Sequence, residues 1–118
     1  MRQIAQVVTE MHDTIPVARV EGEIDLTNAG PLGDRLRAML TNRSDALVVD
    51  LGPTTYLDSS GVTLLFGLVE ELRQRQQDLH LVVPERSPLL RVITIVGLDQ
   101  AAPVHGSVQA ALDRVRSA

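Results

Sequence analysis

The period of apolar and polar positions changes several times along the chain, and each change marks an element. From Ile4 to Glu10 the residues roughly alternate as in a half-buried strand, and the pattern resumes from Ile15 to Glu21. Met11-His12-Asp13 is the predicted turn between these strands. Pro16 falls at the start of the second, where a missing N–H does least harm. Gly22-Glu23-Ile24-Asp25 then leads out of the sheet. Leu32, Leu36, Met39 and Leu40 recur at helical spacing, with Asn28 as the predicted cap and Pro31 in the tolerant first turn. Ala46 to Val49 is an unbroken apolar run ending in Asp50, the pattern of a parallel strand covered on both faces.

Gly52-Pro53-Thr54-Thr55 and Tyr56-Leu57 lead to Asp58-Ser59-Ser60-Gly61, where a strongly patterned helix begins and runs to about Arg75. At about 100° per residue, Val62, Leu65, Phe66, Val69 and Leu72 form one apolar face. Leu68 lies at its margin, Gly67 points outward, and Leu64 falls beside Glu71 on the polar side, which predicts an exposed leucine. Leu79 to Val83 reads as a further strand, and Ser87-Pro88 opens a third helix in the favoured order of cap and first-turn proline. Gly97 is its predicted stop, with Leu98 as the hydrophobic contact. Pro103-Val104-His105 reads as a short last strand, and Ser107 caps a final helix that turns Val108, Ala111, Leu112 and Val115 inward. Two strands followed by alternating helices and strands predict an α/β fold, a mixed sheet of four or five strands with about four helices packed on it. With no repeat or linker-like stretch, residues 1–118 read as one domain.

Composition narrows the chemistry. Aromatic residues are only 2% of the chain, so the core must be built from Val, Leu, Ile and Ala. The formal net charge of −4 and the absence of a basic run argue against a sequence-independent grip on nucleic acid or an anionic membrane surface. The longest apolar runs are too short to span a bilayer, so no membrane insertion is expected. There are no cysteines, which excludes disulfides and thiolate chemistry and suits a cytoplasmic location. All 11 basic residues are arginine, so any mechanism that needs a lysine ammonium is closed.

The segment richest in chemistry is Asp58-Ser59-Ser60-Gly61. A helix start presents free N–H groups and the positive end of the macrodipole, and a serine there can carry a phosphoryl group without disrupting the helix behind it. The added charge, about −1.5 to −2, would remake any interface formed at that place. Gly61, lacking a side chain, would let another protein's backbone come close, and Leu64 a turn further on is a candidate partner contact. Asp-Ser-Ser is equally an ordinary N-cap sequence, and both readings stand on this tetrapeptide alone.

Arg19-Val20-Glu21-Gly22-Glu23-Ile24-Asp25, Leu47-Val48-Val49-Asp50-Leu51 and Tyr56-Leu57-Asp58-Ser59-Ser60-Gly61, with the elements after them, resemble the STAS domains, specifically the bacterial anti-sigma factor antagonists. The similarity runs from about Ile4 to Val115. It implies that Ser59 is the phosphoacceptor, modified by a partner anti-sigma factor that is a serine kinase of histidine-kinase-like ATPase fold. It also implies a PP2C-type serine phosphatase that resets the protein, with Asp25 near the acceptor and Asp58, Ser60 and Gly61 on the same docking surface. No cofactor, no metal and no enzymatic activity are expected, and a monomer or weak dimer suffices. The alternative within the fold is a scaffold or transport-complex subunit without phospho-switching.

Two readings from other classes fare worse. A receiver domain would use Asp50 as phosphoaspartate, but its chemistry needs a lysine, so Asp50 reads as a strand-end residue facing solvent or capping a turn. A hydrolase would need Ser59 paired with His80 or His105, but the Gly-x-Ser-x-Gly elbow is missing. His12, His80 and His105 show no ligand spacing and are expected at surface or turn positions.

Overall fold

The structure is a computed structural model that describes residues 5–117; Met1 to Ile4, and with them the predicted start of the first strand, lie outside the described residues. A hairpin opens the chain: β1 (Gln6–His12) pairs antiparallel with β2 (Ile15–Ile24) around a turn in which Asp13 takes a positive φ of 58°. All later pairings are parallel. β2 pairs β3 (Ala46–Asp50), β3 pairs β5 (Asp78–Val82), and β5 pairs the two-residue β6 (Val104–His105).

β2 is longer than the sequence pattern predicts because it serves two neighbours. Val17 to Arg19 pair with β3, whereas Gly22 to Ile24 pair in parallel with β4 (Thr54–Leu57), off the main strand order. The register slips between Gly22 and Glu23, and Gly22 adopts φ 99°, a conformation costly for any residue with a Cβ. Thr54 fastens the fork, its hydroxyl donating to the Val20 carbonyl at 2.7 Å. The pattern of apolar and polar positions does not mark β4, although Thr-Thr-Tyr is a strand-favouring run.

One face of the sheet carries α1 (Ala29–Ala38), α2 (Ser59–Gln74), α3 (Leu89–Ile95) and the short α4 (Leu98–Ala101). Between them lies the main core, with Leu47, Leu51, Leu65, Leu68, Leu72 and Leu81 fully buried. The other face carries α5 (Val108–Ser117) over a small second core of Ile15, Val17, Val48, Val82, Ala111 and Leu112. Val108 and Val115 pack at its edge, as the helical spacing predicts. Among the described residues the fold thus has six strands and five helices, β4 and the four-residue α4 being the additions to the expected mixed α/β plan.

The helix ends follow the sequence with one exception. The Ser87 hydroxyl accepts from the Leu89 N–H, the Ser107 hydroxyl accepts from the Ala110 N–H, and Gly97 ends α3 at φ 78°. Asn28 occupies the N-cap of α1 but does not cap it with its side chain. It turns back to β2 instead, accepting from the Asp25 N–H at 3.0 Å and donating to the Glu23 carbonyl at 2.7 Å.

Candidate functional site at the β2–β4 corner

The fork of β2 sets the site. Ile24 and Leu57 are paired as the last residues of parallel strands, so Asp25 and Asp58 emerge at the same edge of the sheet. The Asp58 N–H continues the ladder by donating to the Ile24 carbonyl at 3.2 Å. Ligand and partner sites of parallel sheets gather at such carboxyl ends of strands, where loops and helix starts converge.

Asp58 is the N-cap of α2. Its Oδ1 accepts from the N–H groups of Ser60 (2.8 Å) and Gly61 (3.2 Å), and its Oδ2 accepts from the Leu26 N–H at 3.2 Å. One carboxylate therefore fixes the helix start and the loop after β2 together. Asp25, 3% exposed, organises that loop from beneath, its Oδ1 accepting from the Thr27 N–H (2.9 Å) and hydroxyl (2.6 Å).

Because Asp58 does the capping, Ser59 is left for other work. It is the first residue of α2, it is exposed, and among the described residues its hydroxyl has no hydrogen-bond partner. Ser60 beside it is half-buried. Thr63, Phe66 and Glu70 follow Ser59 at four, seven and eleven residues, which puts them on one outward stripe.

Two sequence expectations for this corner are corrected. Leu64 is not exposed: it is 8% accessible and seats on α1, where a Cβ at Gly33 would stand 2.7 Å from its Cδ1. The side of α2 that carries Leu64 and Glu71 is the α1 interface, and Glu71 is held there by the Arg37 Nε, 2.9 Å from both carboxylate oxygens. The buried face is accordingly rotated by about 60° from the one the apolar pattern suggests, leaving Phe66 at 36% exposure and Leu68 fully buried. Gly61 does not open the surface to a visiting backbone either. It is buried, and a Cβ there would meet Leu57 Cδ1 at 2.3 Å and Ile24 Cγ2 at 2.9 Å, so its smallness lets α2 lie close on the strand ends.

The exposed apolar side chains near the corner belong to other residues. Leu26, whose backbone is tied to Asp58, is 79% exposed, and Tyr56 on β4 is 48% exposed. Ile95 and Val96, at the end of the helix that packs on β4, are 72% and 40% exposed. Leu26 was detectable as a lone apolar residue in the polar turn Asp25-Leu26-Thr27-Asn28.

Asp50 caps a turn, its Oδ1 accepting from the Gly52 N–H at 2.8 Å. His80 is not at the surface: it is 7% exposed and the edge of its ring meets that of His105. Leu79, Leu81 and Val83 point into the main core, so His80 faces α5, across the sheet from α2, and offers Ser59 no base. Among the described residues no helix is long and apolar enough to cross a membrane.

This architecture is that of the STAS domain, whose family model matches residues 6–111; the chain belongs to that family. It is 30% identical over 105 residues to the anti-sigma-F factor antagonist RsfB of Mycobacterium tuberculosis, covering 89% of this chain and 84% of that protein. With the anti-sigma-B factor antagonist of Listeria monocytogenes it shares 35% identity over 80 residues, 67% of this chain and 68% of the relative. The crystal structure of an anti-sigma factor antagonist from Mycobacterium paratuberculosis superposes with a TM-score of 0.85 at 30% identity, covering 96% and 95% of the two chains.

Proposed function

We propose that this protein is a partner-switching anti-sigma factor antagonist with Ser59 as its phosphoacceptor. Unphosphorylated, it binds an anti-sigma factor and so frees a sigma factor for transcription. The partner is a serine kinase of histidine-kinase-like ATPase fold, which phosphorylates Ser59 and is thereby released. A PP2C-type serine phosphatase restores the binding form. The protein works in the cytoplasm without cofactor and is not itself an enzyme.

The observation that carries this reading is the division of labour at the start of α2. Asp58 satisfies the helix N–H groups, while the adjacent Ser59 hydroxyl is exposed and uncommitted. A phosphoryl group on Ser59 would place a dianion beside the Asp58 carboxylate and at the head of the Thr63–Phe66–Glu70 stripe, which changes an interface by repulsion and desolvation. The docking surface comprises Ser59, the half-buried Asp58 and Ser60, and the apolar Leu26 and Phe66, with Asp25 and Gly61 supporting it from below. The names of the relatives at 30% and 35% identity support the same role.

The test is the intact mass of protein purified from its native host, wild type against Ser59→Ala. A population heavier by one phosphoryl group in wild type and absent from the variant is expected. Unmodified wild type across growth and stress conditions would sink the switch and favour a STAS scaffold or transport-complex subunit.

A further inference from the structure

The chain's most unusual pair of side chains lies far from Ser59. His80 of β5 and His105 of β6 are brought together by the parallel pairing of Val82 with His105 and Leu81 with Val104. His80 Nδ1 is 3.0 Å from His105 Nε2, and the rings meet edge to edge, with 5.2 Å between centroids and 16° between planes. His80 is buried and His105 half-buried. α5 packs on β3, β5 and β6, and is the one helix on this face among the described residues.

We propose that His80 and His105 form a proton-operated latch beneath α5, closed while the pair shares one hydrogen bond and opened when proton uptake drives α5 off the sheet. The chemistry of imidazole sets the steps. In the neutral pair one ring donates N–H and the other accepts on its bare nitrogen. A first proton from solvent turns the donor into an imidazolium and leaves the N–H···N bond intact. A second proton occupies the acceptor nitrogen, so the bond is lost and two cations face each other.

The surroundings oppose even the first proton. Burial lowers the pKa of His80, its neighbour His105 lowers it further, Asp78 raises it, and Arg114 of α5 lowers it. Burial also lowers the pKa of His105, followed by Arg114. Asp45, before β3, shares with Asp78, His80 and Val115 a recess of about 200 Å³. Asp78 and Asp45 are both exposed, so solvent screens their attraction for an imidazolium. Arg114 rides on α5 itself, so undocking that helix removes a repelling cation and admits water in one movement.

The sign follows from the lowered values. The docked form binds fewer protons than the undocked one, so docking is favoured above the ordinary imidazole pKa of 6.5 and weakens as pH falls below it. Only eight apolar residues make up or edge the second core, so α5 can leave without exposing the main one.

Hydrogen–deuterium exchange of α5 amides, corrected for intrinsic rate, tests the latch between about pH 7.5 and about pH 5, spanning the range in which imidazole titrates. The expected result is faster exchange in α5 at the lower pH, approaching tenfold per pH unit while one proton separates the forms, with β3 and β5 still protected. The double variant His80→Gln/His105→Gln, which cannot titrate there, is expected to keep α5 protected at both pH values. Unchanged α5 protection in wild type would overturn the proposal. So would equal loss in the double variant, which would assign the effect to carboxylates, or loss from all elements together, which would be global acid unfolding. Should the double variant not fold, His105→Gln alone, at the half-buried position, makes the same comparison.

Discussion

Asp58 joins two structures through one carboxylate, and replacing it by Ala or by Asn takes them apart separately. Ala removes all three acceptor contacts: Ser60 N–H at 2.8 Å, Gly61 N–H at 3.2 Å and Leu26 N–H at 3.2 Å. Losing an N-cap costs about 1 kcal/mol, and a charge-assisted bond to the loop adds about 1 kcal/mol more at this half-buried position. Asn keeps a carbonyl oxygen that can cap α2, because Asn is as good an N-cap as Asp. Its second polar group is an NH2, which cannot accept from the Leu26 N–H. Asp58→Asn should therefore cost about 1 kcal/mol, all of it in the loop, against about 2 kcal/mol for Asp58→Ala. With a urea m-value of about 2 kcal/mol/M, the midpoints fall by about 0.5 M and about 1 M. Amide exchange at Leu26 should quicken in both variants, and at Ser60 and Gly61 only in Asp58→Ala. Equal midpoints for the two variants, or a loss below about 0.3 M for Ala, would refute the claim that one carboxylate holds both elements.

Leu64→Ala should destabilise by about 2–4 kcal/mol, because it opens a cavity against Gly33 of α1. Phe66→Ala, at 36% exposure, should cost less than about 1.5 kcal/mol and yet weaken binding to the anti-sigma factor; urea titration and a binding isotherm on both variants separate the two effects. Gly61→Ala should lose about 1–3 kcal/mol through overpacking against Leu57 and Ile24. An unchanged midpoint would show that the corner is looser than its distances state.

The strands and helices were legible wherever a local period repeats for long enough. β3 showed as an unbroken apolar run, α5 through its inward stripe, and the cap of α3 through Ser87. Asp58, Ser59 and Ser60 were legible as a helix start, and the structure divides their tasks. Leu64 was misread because a helical wheel weighs a helix's own residues and not what lies beside it. α2 has apolar residues on two flanks, and the small Gly33 of α1 decides which flank is covered. β4 escaped because four residues give too short a pattern, and its stability comes from the fork of β2 and from Thr54. The His80–His105 contact joins positions 25 residues apart through two parallel pairings, a coincidence no local spacing encodes.

The slip at Gly22–Glu23 has a mechanical consequence. It sets the three-pair ladder of β2 and β4 apart from the main sheet, so Asp25 and Asp58 ride on a spur hinged at one glycine. Ser59 opens a helix that packs on β5 in the main core, so the spur and the body of the sheet meet at the serine-bearing corner. Substitutions around 22–23 and 52–54 would act on the loop side of that junction, while α2 holds the serine side to the packed interior.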